Sequence, residues 1–451
     1  MNREILRLAV PNILSNISVP LLSSFDTVLM GGLGGGHIAA VGLGAMAFNF
    51  VYWNFGFLRM STTGLTAQAF GAADGGGQRA VLRRAALLAA GGAALLVLLQ
   101  YPLAELTHRL LNLRPEQIGL VDDYFYVRIW AAPAALLQMV VFGWFFGRQR
   151  ATVPLVLTLV INVVNMGASY YLVQHAGWGI RGVAWGTVVA QYVGLTVGAG
   201  WLWRALRAPD LAVADPVPNP APSPSPLHPR PRPNWSDLLR INADIFLRTL
   251  CLTLSFAFFY NRANALDVGT AVVAANVILL QLVNWLSYGV DGFAFAAESL
   301  VGKYTGARQP GDLRRAIRLV FGWGMGLAAV YALGYTLGGT PLLALFAPTA
   351  AAPATLAAAA EFLPLVVVFC LAASPCYLLD GVYVGLTASR AMRQTMLLAF
   401  GGYLVIYFLV GRHFGNTGLW ASLLAFMVLR ALLQALWLRR GRVLPAWARQ
   451  Q

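Results

Sequence analysis

LAVPNILSNISVPLLSSFDTVLM, residues 8–30, is an apolar run of membrane length that carries two prolines, Pro11 and Pro20, and one acid, Asp26. Wound at 100° per residue, Asn12, Ser15, Asn16, Ser23 and Asp26 fall within roughly a third of the helix circumference. The segment therefore has a polar stripe as well as a lipid face. A carboxylate in a spanning helix costs about 2.5–3.5 kcal/mol on insertion scales, and such groups face a bundle interior or a wet cavity. This chemistry predicts that Asp26 binds a proton in a transporter. The competing reading is an acid that only hydrogen-bonds a neighbouring helix. The prolines each remove a backbone donor and free a carbonyl, which suits a working bend or a fixed kink equally. Its length, prolines and acid, and the lack of a small-residue cleavage site, separate the run from a cleavable signal peptide, so it is expected to stay in the protein.

The whole chain extends this pattern. Its 451 residues are 58% hydrophobic and 11% charged, with a mean hydropathy of +0.65, a composition outside that of soluble domains. Apolar runs of about 20 residues specify spanning helices, whereas barrel strands are about 10 residues long and alternate. Twelve spans are expected near 8–30, 39–68, 85–106, 124–147, 153–173, 182–203, 241–261, 271–301, 319–346, 362–388, 395–411 and 418–438. With the first span entering from the cytoplasm, 23 of the 32 basic residues fall in inside segments, and five (Arg109, Arg114, Arg181, Arg262 and Arg412) fall outside. This bias explains the net charge of +15 as a topology signal, with no nucleic-acid partner. It implies a multi-pass protein of the cell (inner or plasma) membrane with both termini cytoplasmic. Cys251, Cys370 and Cys376 lie in apolar runs and the five histidines are scattered, so neither a metal site nor a disulfide framework is expected. No nucleophile or His/Asp constellation suggests an enzyme. The GGLGGGH run at 31–37 follows a membrane helix, not a strand, and is no dinucleotide fingerprint.

Between the sixth and seventh spans, PVPNPAPSPSPLHPRPRP is too rich in proline to be helical and reads as a solvated spacer. It divides the chain into an N-terminal six-helix lobe (1–204), a cytoplasmic linker (205–240), and a C-terminal six-helix lobe with a short basic tail (241–451). The lobes repeat. GAADGGGQRAVLRR from Gly71 parallels GARQPGDLRRAIR from Gly306, pairing Gly76 with Gly311, Arg79 with Arg314 and Arg83 with Arg318. The fourth and tenth spans align with Pro133, Leu137, Gly143 and Arg148 opposite Pro375, Leu379, Gly385 and Arg390. The expected fold is an all-α membrane protein of twelve helices in two parallel six-helix repeats, with transport by rocking of the bundles. Asp26 has no acidic twin in the seventh span, where FAFFY (256–260) is apolar. At about 27 Å along the helix from Leu8, it falls in the outer half of a core about 30 Å thick.

NISVPLLSSFDT (16–27), FLRMSTTGLTAQAFGA (57–72), VDGFAFAAE (290–298) and CYLLDG (376–381) closely resemble the DinF branch of the multidrug and toxic compound extrusion (MATE) family, through nearly the whole chain except the linker. The resemblance implies a two-lobed secondary antiporter that exports amphipathic, often cationic, small molecules against protons or sodium. It makes Asp26 the coupling residue and Pro11 the proline that lets its helix bend. It matches Asn165 and Thr187 to members of the same cluster. Ser169 stands where the family commonly has an aspartate. A sodium site built of hard oxygens is weakened by that loss, whereas a lone carboxylate still takes up a proton. Proton coupling is therefore expected in preference to sodium.

Other intramembrane polar residues are candidates for substrate contact or proton relay. Arg59 shares a face with Thr62, Thr63 and Thr66. Asp291 and Glu298 are two helical turns apart. Asp380 falls opposite Gln138 in the repeat alignment, and the resemblance matches it to an acid of the C-terminal lobe. For each acid, structural pairing competes with relay: Arg248 stands at helical spacing from Asp244, and Arg59 has an acid across the bundle as its expected partner. The leading expectation is a monomeric exporter without a cofactor. The alternative, a flippase for a lipid-linked intermediate, calls for a strongly cationic cavity.

Overall fold

The computed structural model describes residues 1–31, 35–111, 113–208, 234–266, 269–346 and 353–449; the side chains at 19–21, 23, 24, 26, 27, 31, 35, 36, 340, 446 and 449 lie outside that description. Pro20, Asp26 and the central part of the linker are thus not described in their side chains. Among the described residues all regular structure is helical. The first half comprises α1 (Asn2–Gly31), α2 (Gly35–Asn54), α3 (Phe57–Gly71), α4 (Gly75–Leu98), α5 (Gln100–Leu110), α6 (Pro115–Arg128), α7 (Ala132–Gly147), α8 (Thr152–Gln174) and α9 (Gly179–Arg207). The second comprises α10 (Trp235–Ala265), α11 (Thr270–Gly306), α12 (Pro310–Leu337), α13 (Gly339–Phe346), α14 (Pro353–Gly385), α15 (Ser389–Leu409), α16 (Gly415–Arg439) and the short α17 (Ala446–Arg449). Ten stretches of helix among the described residues are long and apolar enough to cross a membrane. With α1 and α9 they make the twelve-helix, two-lobe architecture.

Local chemistry sets the helix ends, and it corrects one expected span. The third span, α4, begins at Gly75, about ten residues before the apolar run, because Asp74 caps it: its carboxylate accepts from the Gly77 amide at 2.7 Å. Such a cap satisfies an otherwise orphaned donor. The helix ends at Leu98, and residues 100–110 form the separate α5. Hydropathy alone merged the two, because the polar, arginine-bearing first turns of α4 are helical without being apolar. The fourth span similarly starts early, at Pro115, where a missing amide hydrogen is harmless in the first turn.

The repeat is real, but its second alignment is displaced by one helical turn. After α3, Ala73 takes a left-handed φ of 53°, and after α11, Arg308 takes 54°, in agreement with the alignment of Gly71 and Gly306. After α7 the left-handed residue is Gln149 (61°), and after α14 it is Thr387 (54°), which pairs Gly147 with Gly385 and Gly143 with Gly381. Packing gives the same register. A Cβ on Gly147 would lie 2.8 Å from the Thr63 carbonyl and 2.9 Å from the Ala67 amide of α3. One on Gly385 would lie 2.9 Å from the Glu298 carbonyl and 2.9 Å from the Gly302 amide of α11. Four residues nearly complete a turn, so a shift of four keeps every residue on its face and leaves a sequence pattern almost intact. In the corrected register Asp380 stands opposite Phe142, and Gln138 opposite Cys376.

The described contacts divide the chain into two compact units, Leu14–Asn242 and Met1–Ile13 with Ala243–Gln451. The first residues of α1 belong to the second unit through three ties. Lys303 reaches Glu4 at 3.5 Å, Trp323 Nε1 donates to Asn2 at 3.3 Å, and Gly292 leaves room for the Ala9 carbonyl. The repeated arginines do the same work in each unit: Arg79 donates to the Leu206 carbonyl at the end of α9 at 3.3 Å, and Arg314 to the Ala448 carbonyl at 3.0 Å.

Candidate functional site

In the first unit a polar seam runs between α1, α8 and α9. Thr158, Asn162, Asn165 and Ser169 recur at helical spacing on α8 and so form one stripe. Ser15 Oγ donates to Thr158 Oγ1 at 3.0 Å, and Asn162 Nδ2 donates to Ser18 Oγ at 3.0 Å, so α1 and α8 run parallel in matched register. Further along, Asn165 Nδ2 donates to Thr187 Oγ1 of α9 at 2.9 Å, and Thr187 returns its own hydrogen to the Val183 carbonyl at 3.1 Å. Asn165 and Ser169 are fully buried. The helices approach closely because Gly186 has no Cβ; a methyl group there would sit 2.7 Å from the Ser169 amide nitrogen. Three residues singled out in the sequence, Asn165, Ser169 and Thr187, are therefore brought together. Among the described residues, Asn165 Oδ1 and Ser169 Oγ are buried without a hydrogen-bond partner. Open oxygens of this kind in an apolar interior are costly and point to a ligand, ion or water.

The remaining candidates separate. Pro11 is buried in α1, which runs as one helix through both proline positions. Thr62, Thr63 and Thr66 are buried against the glycines of α7, so that face of α3 is a packing surface. Arg59 stacks 6.0 Å from the Phe146 ring centroid. Gln138 lies on α7 against Gly194 of α9, with its Nε2 unsatisfied. Glu298 is 2% exposed, and Asp291 is half-buried.

The second unit holds charges where the first holds amides and hydroxyls. Asp380 on α14 accepts hydrogen bonds from Arg248 of α10, from Arg430 of α16 at 2.7 Å and from Gln434 of α16 at 2.7 Å; all four residues are buried. The expected pairing of Arg248 with Asp244 does not occur. Both oxygens of Asp244 are occupied, one by Ser389 at 2.8 Å and the other by Arg393 at 2.5 Å. Arg430 and Gln434 were not singled out in the sequence. Their signal is two polar residues four apart within the apolar run ASLLAFMVLRALLQALWL, which puts both on one face.

The repeats give the two units different chemistry at equivalent places. Gly179 and Gly415 open the last helix of each unit with left-handed φ of 52° and 53°. That register puts Gly194 opposite Arg430, so the first unit lacks the cation as well as the acid. A chain built from a duplication has here kept the scaffold and changed its polar groups.

A scan of known families matches the MatE model to residues 11–171 and 245–411, once in each half. The chain belongs to the MatE family. Like its family, this MatE protein is a multi-pass membrane transporter. It is 32% identical over 443 residues to DNA damage-inducible protein F of Escherichia coli strain K12, an alignment spanning 98% of this chain and 93% of that one. It is 26% identical over 452 residues to a probable multidrug resistance protein NorM of Rhizobium meliloti strain 1021, spanning 96% and 91%. Among solved structures, its fold superposes with a TM-score of 0.85 on an outward-facing multidrug resistance MATE transporter of the MOP superfamily, at 19% identity and covering 99% and 97% of the two chains. A MOP superfamily transporter from Pyrococcus furiosus gives the same TM-score and identity, covering 100% and 97%. The matched residues take in Asn165 and Ser169 in one half and Arg248 and Asp380 in the other, and stop short of Thr187 on α9 and of Arg430 and Gln434 on α16.

Proposed function

We propose that this protein is a secondary antiporter that exports amphipathic or cationic small molecules in exchange for protons, with Asp26 as the coupling acid. The observation that carries the reading is the buried seam on α8 and α9, where Asn165 and Ser169 present oxygens without partners. Ser15 pairs with Thr158, and equal rise along two parallel helices carries that register on to position 26 and Ser169. Asp26 would then be the only acid of a seam whose other members are amides and hydroxyls. A carboxylate among neutral donors takes up a proton, or when ionised holds a cation, but it lacks the second anionic oxygen ligand that favours sodium. Export requires that proton and substrate favour different states of the carrier, each binding at the expense of the other. The setting is the cell membrane with both termini cytoplasmic, as the arginine distribution implies.

Purified protein in liposomes, preloaded with a cationic dye, tests this directly. An imposed pH difference is expected to drive dye movement, and a sodium gradient of equal size to leave it at background. The flippase alternative predicts instead tight binding of lipid-linked sugars and none of cationic dyes. A second expected result concerns the missing acid. Ser169→Asp restores a carboxylate at a buried position one helical turn from Asn165, and is expected to confer sodium-stimulated dye export; a variant that folds and stays insensitive to sodium counts against the role given to Ser169.

A further inference from the structure

Asp380 is the acid that the sequence offered as a relay in the C-terminal lobe, and its surroundings describe another task. Three helices converge on it. Arg248 comes from α10, Arg430 and Gln434 come from α16, and Asp380 itself sits in α14. The carboxylate's two oxygens accept from two guanidinium groups and one amide, which leaves little of its surface for an arriving ion. The same face of α14 and α16 is fastened again, by the Tyr383 hydroxyl donating to the Gln434 carbonyl at 2.7 Å. Arg430 Nη1 also contacts Met427 Sδ at 3.2 Å. The residue is 5% exposed and Arg430 is 1% exposed.

The charge balance is decisive. Arg248 and Arg430 are intramembrane cations, and a guanidinium in an apolar interior needs a counter-charge because burial removes its water. Asp380 supplies that counter-charge to both. Asp291 of α11 also bears electrostatically on Cys376 and Tyr377, which precede Asp380 on α14. Removing the charge of Asp380, whether by protonation or by loading a cation in place of an arginine, strands two buried guanidinium groups at once. A relay acid must instead gain and lose its partner cheaply in every cycle.

We infer that Asp380 is a positioning residue, the shared counter-ion of Arg248 and Arg430 that clamps α10, α14 and α16 together, and that it does not carry the coupling ion. The equivalent place in the first unit, with Phe142 and Gly194, has no clamp. The inference rests on the reading of a proton-driven exporter but not on the choice of Asp26 as its coupling acid.

A charge-balanced variant separates the roles. Asp380→Asn alone leaves two unmatched cations and is expected to reduce the yield of monodisperse protein by about tenfold or more. Asp380→Asn with Arg248→Met and Arg430→Met removes both cations together with their shared counter-charge and leaves none of the three charges unmatched. It is expected to recover folded yield to within about threefold, and to export dye with the wild-type pH profile. A folded triple variant that has lost pH-driven export, or whose profile has moved, overturns the inference. The wild-type protein gives an independent reading. Dicyclohexylcarbodiimide modifies protonated carboxyl groups in membranes, and peptide mass spectrometry of treated proteoliposomes at neutral and acidic pH is expected to find Asp380 unmodified until the protein is unfolded. Modification of Asp380 in the folded, transporting protein contradicts its role as a fixed counter-ion. Asp26→Asn tested alongside keeps the two assignments apart: a failure of coupling at Asp26 leaves the Asp380 results unaffected.

Discussion

Gly385→Leu is expected to abolish production of folded protein, and Gly385→Ala to destabilise it by about 1–3 kcal/mol, the usual cost of forcing extra carbon into a packed interior. The reason is backbone, not side chain. At Gly385, α14 lies directly on α11, and a Cβ would meet the Val301 Cβ at 2.8 Å, the Glu298 carbonyl at 2.9 Å and the Gly302 amide at 2.9 Å. None of these atoms can rotate away, so the helices must part. Small residues govern helix approach in membranes because lipid offers no hydrophobic penalty to separation, and close packing carries the association. Once α11 and α14 separate, the clamp on Asp380, which lies just over a turn away on α14, loses its alignment. Gly326→Ala on α12 is the control: nothing lies within 4 Å of the added carbon, and alanine is the better helix former. Thermal unfolding of the three variants in detergent, followed by monodispersity, should rank Gly326→Ala at or above wild type, Gly385→Ala below it, and Gly385→Leu beyond recovery.

Much of the architecture was legible in the sequence because a membrane restricts the choices. Long apolar runs specify helices, and the GA…RR loops repeat around left-handed turns that Ala73 and Arg308 share. What stayed hidden has physical causes. The α7 and α14 alignment slipped by four residues because a helix nearly repeats itself every turn; only the close approaches of Gly147 and Gly385, and the positive φ of Gln149 and Thr387, fix the register. The start of α4 was displaced because helicity and hydropathy part company at a capped, polar end.

The candidate site divides in the same way. Asn165, Ser169 and Thr187 meet as the family resemblance implied, since spacing on α8 and a glycine on α9 are local features. Arg248 was read beside its sequence neighbour Asp244, yet it bonds Asp380, 132 residues away. Helical spacing makes two residues able to meet, whereas burial decides which partner each one takes. Asp244 already had Ser389 and Arg393, and the choice between these pairings depends on helix packing that no local pattern encodes.

Asp26→Asn carries the largest expected effect on transport. Asparagine keeps the size and polarity of the side chain, so the helix should insert and the protein should elute as wild type, but the residue can no longer exchange a proton. Each unit of pH difference is worth about 1.4 kcal/mol per proton, a tenfold concentration ratio. A carrier exchanging one proton for one monovalent cation should therefore hold about a tenfold dye gradient per pH unit, and an uncoupled carrier none. The deciding measurement is the steady-state dye ratio across proteoliposomes under a fixed pH difference, for wild type and Asp26→Asn at equal protein content. The account predicts a ratio that rises with the pH difference for the wild type and stays at one for the variant. A variant that still concentrates dye against its gradient would contradict the assignment of coupling to Asp26.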